Sequence, residues 1–173
     1  MQLKSIACGL SHSGCITSEG QVYLWGLTGE VSGKTNQDKL LEKCLFKRPT
    51  HISFRHCLER DPGSSNAAQQ RRKSSDNGQG ESTATSALIE EIRMGEYFTI
   101  AMSTRGYVYT WGMNDKGQLG INSDASYFFE PVAVSSAKGP LSKAVQRIDC
   151  GLKHCLVLTK DYQLYSWGSN QLN

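Results

Sequence analysis

Residues 6–26 read IACGLSHSGCITSEGQVYLWG, and the pattern returns without gaps at 92–112 as IRMGEYFTIAMSTRGYVYTWG and at 148–168 as IDCGLKHCLVLTKDYQLYSWG. The first and third copies agree at ten positions, among them Ile6/Ile148, Cys8/Cys150, His12/His154, Gln21/Gln163 and Tyr23/Tyr165. Composition alone gives roughly one or two such matches. All three tryptophans, Trp25, Trp111 and Trp167, fall in one column, each followed by a glycine: Gly26, Gly112 and Gly168. An internal repeat decides the architecture before any local reading does.

Each copy reads as three short strands. The middle run is apolar on both faces, most clearly Cys155-Leu156-Val157-Leu158, as in a strand buried on both sides. A short turn follows at Glu19-Gly20, Arg105-Gly106 and Asp161-Tyr162. The last run alternates, with Val22 and Leu24 on one face and Tyr23 and Trp25 on the other, the period of a strand. Gly9, Gly95 and Gly151, ending the first strand, are placed where a tight turn calls for a permissive backbone. Pro49-Thr50-His51-Ile52 matches Pro131-Val132-Ala133-Val134, which extends the unit to a fourth strand whose proline marks its start or an edge. Four strands per unit is the make-up of a propeller blade.

The repeat I-x-C-G-x-x-H-x-x-x-x-T-x-x-x-Q-x-Y-x-W-G is followed in the second copy by Asn114-Asp115-Lys116-Gly117-Gln118-Leu119-Gly120. Together these resemble the repeat of the regulator of chromosome condensation family, whose N-x-x-G-Q-L-G turn is matched in full, Gly117 and Gly120 included. The resemblance implies an all-β fold: a partial β-propeller of about three four-stranded antiparallel blades from a ring of about seven. It also implies that Gly9, Gly95, Gly151, the three Trp-Gly pairs, Gly117 and Gly120 are structural repeat positions. Leu27 to Lys34 of the first copy lack the G-Q-L-G turn.

The spacings locate an insertion. The repeat isoleucines Ile6, Ile92 and Ile148 lie 86 and then 56 residues apart, and nearly all the excess falls between Pro49 and Ile92. The expected organisation is a first repeat at 1–54, a polar insert at 55–86, a second repeat at 87–143 and a truncated third at 144–173. The insert is rich in Ser, Gln, Asn and Gly and is expected to be a disordered loop, since it offers little apolar surface to offset ordering entropy. Asp38 to Lys43 are expected to form a helical turn. Three repeats do not close a ring, so the chain is expected to be part of a longer propeller.

The net charge of +3 is mild. It gives direct nucleic-acid binding little support, because such binding needs clustered charge. No stretch approaches a membrane span, and Met1 to Gly9 carry no secretion signal. Six cysteines without a spacing framework read as reduced thiols in the cytoplasm or nucleus.

His12 and His154 lie near Cys8, Cys15, Cys150 and Cys155. Met94 and Phe98 occupy the same columns in the second copy, which favours core packing over a metal site. Gly29 to Thr35 end in Gly-Lys-Thr, but the first glycine of a phosphate loop is misplaced. Arg71-Arg72-Lys73 precede Ser74 and Ser75, which suits phosphorylation by a basophilic kinase; a solvated charge cluster is the plain alternative. No catalytic motif and no cofactor-binding motif is present. The expected function is a protein-interaction module, not an enzyme, with an unidentified protein partner. The resemblance adds two alternatives: guanine-nucleotide exchange on a small GTPase of the Ran type, and chromatin binding. In the exchange factor of that family a β-wedge inserted in the propeller does much of the work, and the polar insert here is a poor wedge.

Overall fold

The structure, a computed structural model, describes residues 1–29, 43–54, 57, 87–134, 141 and 144–170. The described residues form eleven strands in three antiparallel sheets. The first is β1 (Leu3–Cys8), β2 (His12–Thr17), β3 (Val22–Leu27) and β4 (Leu45–Ile52), hydrogen-bonded in that order. The second is β5 (Ile89–Met94), β6 (Phe98–Ser103), β7 (Val108–Met113) and β8 (Tyr127–Ala133). The third is β9 (Val145–Cys150), β10 (His154–Thr159) and β11 (Leu164–Gly168). The chain is therefore all-β, and its sheets are successive blades of a partial propeller.

Register follows the repeat. His12, Phe98 and His154 pair with Gly26, Gly112 and Gly168 respectively. Cys15, Ala101 and Val157 pair with Ile6, Ile92 and Ile148. The fourth strand begins well before its proline, at Leu45 and Tyr127, so Pro49 and Pro131 lie inside an outer strand. An edge strand tolerates proline there because no ladder bond is lost on its free side. Lys43 and Cys44 are helical; the rest of the expected turn from Asp38 lies outside the described residues. The same is true of the 55–86 insert, with Ser74 and Ser75, apart from Cys57. That cysteine is buried and donates from Sγ to the Pro131 carbonyl at 3.2 Å.

Two apolar cores lie between blades rather than within them. Ile16, Val22 and Leu24 on the forward face of the first blade meet Ile89, Ile92 and Trp111 on the rear face of the second. Ile100, Met102 and Val108 on the second blade's forward face meet Val145, Ile148 and Val157 of the third. A blade between two others is thus buried on both sides, and every residue of β6 is buried. In β10 burial alternates instead: Cys155 and Val157 are buried while Leu156 is exposed. The apolar run at 155–158 has one covered face and one open face.

Backbone bonds stitch the blades at two levels. Leu10 N–H donates to the Gly95 carbonyl at 3.2 Å, and Glu96 N–H to that of Leu152 at 2.9 Å. At the other end Ile89 N–H donates to the Gly20 carbonyl and Val145 N–H to that of Gly106, both at 3.0 Å.

Candidate functional site

The links between β1 and β2, between β3 and β4, and their counterparts in later blades share one rim. The β2–β3 turns and the blade-to-blade connections share the other. On the first rim one device recurs three times. Leu27, Met113 and Ser169 donate their N–H groups to the carbonyls of Ser11, Tyr97 and Lys153, each at 2.8 Å. The preceding glycines, Gly26, Gly112 and Gly168, have φ of +98°, +104° and +106°. A Cβ on any of them would sit 2.4–2.6 Å from the accepting carbonyl oxygen. Positive φ and close backbone approach each demand glycine, which explains the Trp-Gly pairs in physical terms.

Gly9, Gly95 and Gly151 stand at tight turns, as expected, each donating its N–H to the carbonyl three residues on, but the turn does not draw on a permissive backbone there. None has positive φ. A Cβ there would fall 2.7, 2.0 and 2.2 Å from Cε1 of His12, Phe98 and His154. These glycines make room for a ring lying against the backbone. His12 is buried, and its Nε2 lies 3.2 Å from Thr99 Oγ1 in the next blade. Burial lowers its pKa to about 4, with a backbone contact to Phe98 offsetting a little of that shift. Nδ1 makes no hydrogen bond among the described residues. His12 is therefore a neutral packing residue. His154, in the same column, is exposed.

The second blade carries the best-defined loop of this rim, Asn114 to Ser126. Asn114 holds its base: Nδ2 donates to the Ser123 and Ala125 carbonyls, and Oδ1 accepts from Leu119 N–H at 3.1 Å. Gln118, also buried, accepts from Lys116 N–H at 2.8 Å and donates to Asp115 Oδ1 at 2.9 Å. Its carbonyl accepts from Trp167 Nε1 at 3.0 Å and from Cys155 Sγ at 3.3 Å in the third blade. A Cβ at Gly120 would meet Trp167 Nε1 at 2.5 Å, whereas one at Gly117 would meet nothing within 4 Å. The base is locked across a blade junction while Asp115, Lys116, Gly117 and Asp124 stand exposed. On the same rim the Lys153 ammonium lies 3.1 Å from Glu96, and Lys43 sits 5.4 Å above the ring of the exposed Phe129.

The tryptophans differ accordingly. Trp111 is buried at the first junction, and its Nε1 has no acceptor among the described residues. The first repeat lacks the G-Q-L-G turn that gives Trp167 its acceptor. Trp25 and Trp167 are half-buried. All six cysteines are free thiols, and burial raises Cys150 to about 12, helped by the Asp149 charge. No cluster of metal-ligating side chains occurs among the described residues, and no helix among them is long and apolar enough to cross a membrane.

Comparison with known proteins places this geometry. Residues 105–158, and separately 89–118 and 145–173, match the regulator of chromosome condensation (RCC1) repeat. The human E3 ubiquitin-protein ligase HERC2 is 29% identical over 98% of the chain, which spans 4% of HERC2. Protein pim1 of Schizosaccharomyces pombe is 27% identical over 95% of the chain, which spans 27% of pim1. Prp20p of Saccharomyces cerevisiae, whose crystal structure was described with its binding to Gsp1p and histones, superposes with a TM-score of 0.64 at 24% identity. That match covers 98% of this chain and 31% of Prp20p. The profile matches fall on the second and third copies, and ten identities tie the first copy to the third; the chain is a partial β-propeller that carries repeats of the regulator of chromosome condensation type.

Proposed function

We propose that the chain is a regulatory protein–protein interaction module that engages its partner through the rim carrying the Asn114–Ser126 loop. The observation behind this reading is the loop's construction, with a base fixed by buried hydrogen bonds and a polar tip left in water. A preordered loop loses little conformational entropy on binding, and loops on rigid scaffolds are where binding residues gather. Phe129, exposed beside Lys43, is the aromatic anchor such a surface needs. The units 1–54, 87–143 and 144–173 act as one scaffold in this reading, working in the cytoplasm or nucleus.

The test compares partners captured by the wild type, by a variant carrying Asp115→Ala, Lys116→Ala and Phe129→Ala, and by Glu19→Ala on the opposite rim. Quantitative mass spectrometry should show one set of partners lost with the triple variant and kept with Glu19→Ala. Equal retention by all three removes the proposal.

A second reading is guanine-nucleotide exchange on a small GTPase of the Ran type, favoured by the fold shared with Prp20p. Acceleration of labelled GDP release from Ran by this chain would establish it. Chromatin binding is the third, and it requires salt-dependent association with nucleosomes. Phosphorylation at Ser74 or Ser75 would add charge beside three cations. Phosphopeptide mapping that finds both serines bare under kinase stimulation removes that site.

A further inference from the structure

The third blade sets two cysteines side by side. Cys150 on β9 and Cys155 on β10 are direct cross-strand partners. Gly151 N–H donates to the His154 carbonyl, so 151/154 is a hydrogen-bonded pair and, by the alternation of an antiparallel ladder, 150/155 is not. The Cys150 N–H accordingly turns away from β10 and donates to Asp149 Oδ1 at 2.9 Å. Opposed Cα atoms of such a pair lie about 4.5 Å apart, within the roughly 4.4–6.8 Å that a disulfide spans. Both side chains face the second junction: Cys155 is buried in its core, and Cys150, partly exposed, packs against it. The same two columns touch in the first blade, where Ser13 Oγ lies 3.8 Å from Cys8 Sγ. Among the described residues no other two cysteines are opposed across strands.

Cys155 also bears on the rim. Its thiol and the Trp167 indole both donate to the Gln118 carbonyl, at 3.3 and 3.0 Å, and Trp167 is the cross-strand partner of Cys155 on β11. Gln118 is 1% exposed, so a donor withdrawn there is not replaced by bulk water. Burial holds both thiols above their usual pKa, Cys150 at about 12 with help from the Asp149 charge and against that of Arg93. Thiolate is the attacking form, so the pair rests reduced and reacts slowly, on sustained exposure to an oxidant.

We infer that Cys150 and Cys155 form a reversible cross-strand disulfide under peroxide, and that its closure loosens the Asn114–Ser126 loop by taking the thiol donor from the Gln118 carbonyl. Cys150, the more accessible of the two, attacks one peroxide oxygen. The O–O bond breaks, Cys150 becomes a sulfenic acid, and the departing hydroxide takes up the thiol's proton as water. The Cys155 sulfur then attacks Cys150 Sγ; the S–S bond forms as the S–O bond breaks, and the second hydroxide leaves with the Cys155 proton as water. Two thiols lose two electrons and one peroxide gains them. A dithiol reductant reopens the bond by thiol–disulfide exchange. Formation of the bond does not depend on what the rim binds.

The experiment treats the full chain, first reduced, with hydrogen peroxide, blocks the remaining thiols with N-ethylmaleimide and digests with trypsin. Cleavage after Lys153 separates the two cysteines, so the disulfide should appear in mass spectra as residues 148–153 joined to 154–160, and should vanish with dithiothreitol. It should dominate over every other cysteine pairing. Cys150→Ser, at a partly exposed position, should abolish the bond, and so should Cys155→Ser, which keeps a hydroxyl donor for Gln118. Hydrogen exchange across residues 114–126 should quicken about two- to tenfold in the oxidised wild type, the worth of one modest hydrogen bond. It should stay at the reduced level in peroxide-treated Cys155→Ser. Cys150 and Cys155 found unlinked, as thiols or as sulfinic acids, overturn the inference, as does scrambled pairing among the six free cysteines. A linked wild type whose loop exchanges no faster overturns the hold on the rim.

Discussion

His12 shows how one column of the repeat carries two chemistries. In the second blade the slot holds Phe98 against Gly95; in the first it holds a buried imidazole against Gly9. Its pKa falls from 6.5 to about 4 because burial penalises the charged ring. Above pH 6.5 the ring is neutral in the folded and unfolded chain alike, and stability is unaffected. As pH falls below 6.5 the unfolded chain takes up a proton that the folded chain refuses. Stability is therefore lost progressively down to about pH 4, by about 3 kcal/mol in total. Urea unfolding at pH 7 and at pH 4.5 should show this loss, and His12→Phe, which copies the second blade, should remove that part of it. Glycines 117 and 120 give a second prediction. Their φ values are nearly the same, +70° and +65°, but only at Gly120 would a Cβ strike Trp167. Gly117→Ala should cost about 1 kcal/mol for the left-handed backbone alone. Gly120→Ala should cost about 2–4 kcal/mol, because the indole must also move, and Trp167 fluorescence should shift only in that variant.

At the scale of the element, the rim loop stands or falls with Asn114, whose side chain is bound to one backbone N–H and two carbonyls. Asn114→Ala leaves the buried Leu119 N–H without its acceptor, which should cost about 2 kcal/mol. Hydrogen exchange should report faster exchange at Leu119 while β6 keeps its protection. The strands themselves were legible because alternation and the Trp-Gly pairs are local signals that a period of two exposes directly. The turn at the end of the first strand was legible too, but the reason for its glycine was not: it is the ring of residue 12, 98 or 154 lying on it. A close approach between a glycine and a ring three residues later leaves no mark in periodicity. The rim loop was recognisable as a motif, but its hold on Trp167 and Cys155 joins residues 37 and 49 positions apart. Only the stacking of blades brings them together.

For the whole molecule, position in the stack decides what a repeated residue contributes. Three isoleucines in one column were readable from the sequence as equivalents, and their strand registers are equivalent. Their burial is not, because a propeller keeps its cores between blades and a residue is only as buried as its neighbouring blade makes it. Ile92 sits among Ile16, Val22 and Ile89, and Ile148 among Met102, Val108 and Val145. Truncating either to alanine removes buried methyl groups and leaves a cavity at a junction, at a cost of about 2–5 kcal/mol. Ile6, 75% exposed in the single chain, should cost less than about 0.5 kcal/mol on the same change. Urea unfolding of Ile6→Ala, Ile92→Ala and Ile148→Ala at low concentration should separate the first from the other two.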